Sequence, residues 1–176
     1  SDLRVVTTLE EEIFNVPEHD TKGLIRDAIE RLSAPDAVAT DLGCGIGRTL
    51  PMLSGHFATV YAVDVSSQCL DVAADSCTGL DNIVYVHADL STDRNSYPAT
   101  DVVLCINTLL NASIDVREPL FDRTCRSVKR GGHLVLVVPA LGSARLRAYR
   151  RLLWNLRDGM PAQEGQQEAG RNDASI

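Results

Sequence analysis

The stretch Val38-Ala39-Thr40-Asp41-Leu42-Gly43-Cys44-Gly45-Ile46-Gly47-Arg48 decides the fold of this chain. Its first residues form a short, mainly apolar run with an acidic residue near the end, which is typical of a buried strand. Glycines then follow at every second position, and glycine tolerates positive φ and lets a backbone approach a ligand closely. The helix that comes next points its unpaired N–H groups toward whatever lies in the turn. The pattern therefore predicts a strand, a ligand-binding turn and a helix.

Length and composition are those of one globular domain. The chain has 176 residues, of which 44% are hydrophobic, enough for a sizeable core. A net charge of −7 makes nucleic acid, held through its phosphates, an unlikely acceptor. The five cysteines form no Cys-x-x-Cys pair, so we expect reduced thiols, no metal site and a cytoplasmic protein. We expect neither a signal peptide nor a membrane partner, since no apolar run could span a bilayer.

Strand-like apolar runs alternate with helical stripes along most of the chain. The predicted strands are 38–42, 59–64, 83–88, 101–107 and 133–138, and the predicted helices are 24–32, 48–53, 66–74 and 118–128. Asp20 or Thr21 is expected to cap the first of these helices and Ser66 the third, and Gly131-Gly132 is expected to form a tight turn. This alternation predicts an α/β fold with a doubly wound, mostly parallel sheet and helices on both faces.

The predicted α/β domain covers residues 20–139. Residues 1–19 are expected to form an amino-terminal arm or lid, and a helix is expected within 140–158. Residues 159–176 are rich in polar residues and glycine, with little to bury, and we expect them to be disordered.

Two acidic residues stand at the ends of later strands. Asp64 ends the second predicted strand about 20 residues beyond the glycine turn, a position that suits the two hydroxyls of a ribose. A carboxylate has two oxygens that only accept, so it can take both hydroxyl protons at once. Asp89 follows the third predicted strand. It is a candidate for binding a ligand there, and the alternative is that it only caps a loop through Ser91 or Thr92.

The stretch Asp41-Leu42-Gly43-Cys44-Gly45-Ile46-Gly47 resembles motif I of the Rossmann-like (class I) S-adenosylmethionine-dependent methyltransferases, in which an acidic and an apolar residue precede Gly-x-Gly-x-Gly. The resemblance covers about residues 20 to 140, and it implies S-adenosylmethionine as cofactor and direct in-line methyl transfer. Nucleic-acid amino methyltransferases carry Asn/Asp-Pro-Pro-aromatic after the fourth strand, whereas this chain has Asn107-Thr108-Leu109-Leu110. We therefore expect a small-molecule methyl acceptor.

The resemblance implies a cofactor site at the ends of four strands. Its residues are Asp41, Gly43, Cys44, Gly45, Asp64, Val65, Asp89, Leu90 and Asn107. The glycine turn would lie against the methionine and ribose parts, with Asp41 facing the methionine ammonium and Asn107 near the same group. Asp64 would hold the ribose, Val65 would pack on adenine, and Asp89 with Leu90 would read the adenine edge. No catalytic residue is implied, because an amine, thiolate or carboxylate acceptor needs no general base.

Two other functions remain open from the sequence. The first is an NAD(P)-dependent oxidoreductase, whose fingerprint spaces its glycines Gly-x-Gly-x-x-Gly. Here the third glycine comes one position early, and Arg48 stands where that fingerprint needs glycine. The second is a non-catalytic nucleoside-binding or scaffold protein of the same fold, which the sequence does not distinguish from an enzyme.

The final expectation concerns the end of the sheet. Similar methyltransferases have seven strands, the last two forming a hairpin beside the fifth, but only five strands are evident here. The fifth strand, Leu134 to Val138, would then present an unpaired edge that invites pairing. We expect a homodimer, the helix around 146–154 or a continuation of the natural chain to cover this edge. In each case Val135 and Val137 would not be exposed along it.

Overall fold

The computed structural model describes residues 20, 22–92, 96–109, 113–138, 156–157 and 159–164. Its helices are α1 (Leu24–Leu32), α2 (Leu50–Ser54), α3 (Ser67–Ser76) and α4 (Ile114–Arg126). Its strands are β1 (Val38–Leu42), β2 (Thr59–Asp64), β3 (Ile83–His87), β4 (Thr100–Ile106) and β5 (Val128–Val137). The arm predicted over 1–19 lies outside the described residues, as does most of the helix predicted within 140–158. Of the predicted tail only 159–164 is described, and 162–164 is helical.

The strands form one five-stranded sheet in the order β3-β2-β1-β4-β5. Every pairing is parallel, with Asp41 opposite Ala62 of β2 and opposite Leu104 of β4. The chain moves from β1 outward to β3 and then returns to the other side of β1 for β4. This reversal creates a switch point between β1 and β4, where open α/β sheets bind ligands. The predicted doubly wound parallel sheet is confirmed.

Helices cover both faces of the sheet, as predicted. Successive strand residues such as Ala62 and Val63 belong to different hydrophobic cores, because side chains alternate across a strand. The core beneath α1, α2 and α3 includes Ile29, Leu50, Leu53, Val60 and Ala73. The core on the opposite face includes Leu42, Val63, Val103 and Cys105, with Leu120 of α4 packed against it.

Local capping explains where two of the helices begin. The Asp20 carboxylate accepts hydrogen bonds from the backbone N–H groups of Leu24 (2.7 Å) and Ile25 (2.8 Å), at the start of α1. The Ser66 side chain accepts from the backbone N–H of Cys69 (3.3 Å) at the start of α3. All three bonds satisfy N–H groups that have no partner within the helix, so the caps predicted at Asp20 and Ser66 are confirmed.

Two predicted boundaries are wrong. The helix predicted over 118–128 is α4, which begins at Ile114 and contains Pro119 in its interior. The Gly131-Gly132 pair is not a separate turn but lies within β5, where the pairing with β4 shifts register. Gly131 has φ 83°, and a Cβ on Gly132 would lie 2.6 Å from the Asp101 carbonyl oxygen, so both positions need glycine.

The fifth strand is an edge in the described part of the chain, since it pairs with β4 alone. Val135 and Val137 are half-buried and pack against the core beneath α1, α2 and α3. Leu136 and Val138 alternate with them and are 37% and 51% exposed. The chain itself thus covers Val135 and Val137 on one face and Leu134 on the other, whereas Leu136 and Val138 are exposed.

Candidate functional site

A cavity of about 360 Å³ lies at the carboxyl ends of the strands, beside the switch point. Its walls come from the ends of β1, β2, β3 and β4 and from one side of α4. The lining residues are Gly43, Asp64, Val65, Ala88, Asp89, Leu90, Ser91, Ile106, Asn107, Thr108, Val116 and Leu120. Its volume falls within the range of about 300–1,000 Å³ that is usual for small-molecule sites.

The glycine turn forms one wall because its backbone is held in a conformation that favours glycine. Gly43, Gly45 and Gly47 all have positive φ, between 53° and 83°. The Gly43 and Cys44 N–H groups both donate to the Val63 carbonyl oxygen of β2, at 2.8 and 3.1 Å. A Cβ on Gly47 would lie 2.9 Å from the Ala73 Cβ of α3, so the turn also packs closely on that helix.

The Asp64 side chain is fixed in place at the end of β2. Its Oδ2 accepts from the Gly45 N–H and its Oδ1 from the Ser66 N–H, both at 2.8 Å. A carboxylate oxygen can accept two hydrogen bonds, so each retains capacity for a further donor from the cavity. The chain thus presents a charged acceptor, aligned by the glycine turn, to any ligand in the cavity.

The adjoining wall runs through Val65 and the end of β3. Val65 is 47% exposed, and its carbonyl oxygen lies 2.9 Å from the His87 Nε2. The Asp89 Oδ1 accepts from the backbone N–H of Ser91 (2.8 Å) and from its hydroxyl (2.6 Å). These bonds hold the pKa of Asp89 below its ordinary value. The loop cap predicted as the alternative for Asp89 is therefore present, and it lies in the cavity wall.

Asp41 lies behind the cavity, 2% exposed, and accepts a hydrogen bond from the Thr49 hydroxyl. Burial raises the pKa of Asp41 to about 7; the Thr49 hydrogen bond opposes this shift and the charge of Asp64 adds to it. Burial likewise raises the pKa of the neighbouring Cys44 thiol well above its ordinary value. These carboxyl and thiol groups are held in a low-dielectric layer beneath the glycine turn.

Most of the residues predicted from sequence come together at the cavity. Those that line it are Gly43, Asp64, Val65, Asp89, Leu90 and Asn107. Asp41, Cys44 and Gly45 do not line it; they lie within or beneath the turn, where Gly45 positions Asp64. The contact made by each of the nine with a cofactor stays a prediction.

Asn107 was predicted at the wall formed by β4 and α4, but the other residues of this wall were missed. Thr108 follows Asn107, and Val116 and Leu120 lie one helical turn apart on α4. The i, i+4 spacing of these two apolar residues was the available signal, but a helix predicted to begin at Glu118 leaves Val116 outside it. Asn107 also has φ 55°, the only positive value among the non-glycine residues that the structure describes.

The residues that the structure describes contain no group of three or more His, Cys, Asp or Glu side chains placed to hold a metal ion. None of their helices combines the length and apolar character needed to cross a membrane.

Comparison with known proteins agrees with this architecture. A family model described as a methyltransferase domain matches residues 39–132, more than half of the chain. The N-methyltransferase NodS from Bradyrhizobium japonicum WM9 superposes with a TM-score of 0.59 at 17% identity, over 71% of this chain and 72% of that one. The complex of DhpI with S-adenosylhomocysteine gives a TM-score of 0.56 at 27% identity, over 71% of this chain and 60% of DhpI.

A curated relative from Haemophilus influenzae, described as an uncharacterized protein, is 29% identical over 97 residues. That match covers 54% of this chain and 35% of the relative, so the chain spans about a third of the relative's length. The likeness to NodS, at its low identity, concerns the fold alone. The family match is what decides membership: the chain belongs to the methyltransferase-domain family and has the Rossmann-like fold of its S-adenosylmethionine-dependent members.

Proposed function

We propose that the chain is an S-adenosylmethionine-dependent methyltransferase that acts on a small-molecule acceptor. The observation that supports this most directly is the cavity at the switch point, with the Asp64 carboxylate fastened to the Gly45 and Ser66 N–H groups in its wall. The family match supports the same activity over the oxidoreductase alternative.

The residues of the cavity fit the parts of this cofactor. Asp64 offers a fixed acceptor for the ribose hydroxyls, and the exposed apolar surface of Val65 suits one face of adenine. Asp89 and Leu90 lie beyond Val65 at the end of β3, where an amino group of the base would need an acceptor. Asp41 lies beneath the turn, where an ammonium group would favour its charged form against the effect of burial. When bound, the cofactor supplies a methyl group carried on a sulfonium sulfur.

The chain's contribution to methyl transfer is then to position the reactants. Gly43 of the glycine turn and the β4 corner at Asn107 form two adjoining walls, and holding the reactants against them in a fixed position lowers the entropic cost of reaction. Val116 and Leu120 add an apolar wall that limits the access of water. We propose a small acceptor rather than a nucleic acid because the chain carries a net charge of −7.

Binding and turnover distinguish the three candidate functions. We expect S-adenosylhomocysteine to bind in isothermal titration and to raise the melting temperature, while NAD does neither. A methyl-transfer screen over amine, thiol and carboxylate acceptors should then give turnover with at least one class. Stabilisation by NAD alone would favour the oxidoreductase. Binding of the cofactor without turnover on any acceptor would favour the non-catalytic protein.

We propose further that the protein works in the cytoplasm and pairs with a second copy through β5. All five cysteines are free thiols, although Cys125 is exposed, and this suits a reducing compartment. The β5 edge carries the exposed apolar residues Leu136 and Val138, which a partner strand and its flanking side chains would cover.

A further inference from the structure

We propose that Thr108 is a positioning residue, a role that rests on the proposed function. Its side chain joins the end of β4 to the glycine turn that follows β1. It thereby sets the separation between the two walls that would hold the methionine end of the cofactor. Thr108 itself lines the cavity.

The hydroxyl of Thr108 makes the first half of this connection. Thr108 Oγ1 donates to the Leu42 carbonyl oxygen at 2.7 Å, across the switch point between β4 and β1. Its distance to the Ile106 carbonyl oxygen is longer, 3.3 Å, and a hydroxyl has only one proton to donate. The bond to Leu42, the residue directly before the glycine turn, is therefore the one that fixes the side chain.

The packing of the Thr108 side chain against Gly43 makes the second half, and the methyl group takes part in it. A Cβ on Gly43 would meet the Thr108 Oγ1 and would lie 2.7 Å from the Thr108 Cγ2 and 3.0 Å from its Cβ. The Thr108 side chain thus occupies the space that any side chain at position 43 would need. Because this contact and the hydrogen bond to Leu42 act on adjacent residues, they restrain the turn in two directions.

The backbone beside Thr108 is held in a conformation that non-glycine residues rarely adopt. Asn107 has φ 55°, and its N–H donates to the Val137 carbonyl oxygen of β5 at 2.9 Å. Such a conformation persists only where the surroundings determine it, and these restraints lie on both sides of Asn107. The neighbouring strand β5 restrains its N–H, and Thr108 anchors the residue that follows. The placement of Asn107 in the cavity wall therefore depends on Thr108.

Two substitutions separate the two halves. Thr108→Val keeps the methyl group and the shape but removes the donor, whereas Thr108→Ser keeps the donor and removes the methyl group. Thr78→Val is the matched control, because Thr78 donates to the Asp75 carbonyl oxygen of α3 and is not among the residues that line this cavity. The probes are S-adenosylhomocysteine and 5′-methylthioadenosine, which lacks the amino-acid end.

We expect Thr108→Val to weaken S-adenosylhomocysteine binding about tenfold or more in isothermal titration, with 5′-methylthioadenosine affinity changed less than threefold. Thr108→Ser should restore most of the loss, and Thr78→Val should bind both probes as the wild type does. A general structural role would instead weaken both probes together and lower the melting temperature. Should Thr108→Val fail to fold, Thr108→Ala takes its place with the same expected selectivity.

The outcomes are distinguishable from failure of the proposed function. Wild-type protein that binds neither probe overturns the methyltransferase function and, with it, the role of Thr108. Wild-type protein that binds both probes, with Thr108→Val weakening both equally or neither, overturns the role of Thr108 alone.

Discussion

At the scale of single residues, the site is organised around two carboxylates with opposite surroundings. Asp64 is held at the cavity by two backbone N–H groups, whereas Asp41 is 2% exposed and has a pKa raised to about 7. Burial makes the charged form of Asp41 costly, and Asp64 adds a like charge nearby. A cation placed over the turn would offset both effects, which suits a ligand that carries an ammonium and a sulfonium.

The first prediction concerns Asp64→Ala. Hydrogen bonds to a charged group are each worth about 1.5–3 kcal/mol, so cofactor affinity should fall by about one to two decades at least. The Gly45 and Ser66 N–H groups also lose their acceptor, so the melting temperature should fall, but the fold should survive because Asp64 fills no core position. Titration with S-adenosylhomocysteine measures the loss. Asp75→Ala on the exposed side of α3 is the control; equal affinity in the two variants would remove Asp64 from the site.

The second prediction concerns pH. Because the pKa of Asp41 is about 7 in the folded chain and near 3.8 when unfolded, the native state binds more protons between these values. The contribution of Asp41 to the free energy of unfolding is therefore present at low pH and lost as pH rises through about 7. In Asp41→Asn this dependence should disappear, so the variant should lose less stability than the wild type between pH 5 and pH 8. Urea unfolding at each pH measures the free energy of unfolding, and Asp81→Asn at an exposed position is the control. If that free energy changes with pH in the same way in the wild type and in Asp41→Asn, the raised pKa of Asp41 is contradicted.

At the scale of elements, local sequence patterns predict strands and turns well, whereas contacts between distant segments cannot be read from such patterns. The β1 strand, the glycine turn and Asp64 are visible in sequence because each follows from the spacing of neighbouring residues. The wall at Thr108 is not visible, since it depends on a bond between residues 66 positions apart. The predicted start of α4 was wrong: Pro119, a residue type that favours the first turn of a helix, lies in the interior of α4. Gly131 likewise reads as a turn, although it forms an irregularity within β5.

The third prediction tests how closely the glycine turn packs on α3. Gly47 and Gly79 both have positive φ, 83° and 91°, so alanine is strained at either position. A Cβ on Gly47 would also meet Ala73 at 2.9 Å, whereas nothing lies within 4 Å of a Cβ on Gly79. Gly47→Ala should therefore reduce the free energy of unfolding by about 1–3 kcal/mol more than Gly79→Ala does. Urea unfolding compares the two, and equal losses would show that the turn accommodates the added methyl group.

At the scale of the whole molecule, the two edges of the sheet differ in what surrounds them. Leu136 of β5 and Val84 of β3 are similarly exposed, at 37% and 42%. Among the described residues, the β5 side also has exposed Val138 directly after the strand and exposed Phe121 on the neighbouring helix α4, whereas the β3 side has exposed Val65 beside His87. Pairing at β5 would therefore cover more apolar surface than pairing at β3.

The last prediction is that the protein is a dimer in solution and that β5 forms its interface. A dimer with a two-fold axis places identical strands antiparallel, so a residue near the axis faces its own copy. Leu136→Lys would place a charge in the apolar surface that pairing buries and should convert the dimer to a monomer, whereas Val84→Lys on the opposite edge should leave it intact. Light scattering after size exclusion measures the mass of each variant, and amide exchange should be slow along β5 in the wild type. A wild-type monomer at high concentration with fast exchange along β5 would refute the pairing. A dimer that survives Leu136→Lys but not Val84→Lys would instead place the interface at β3.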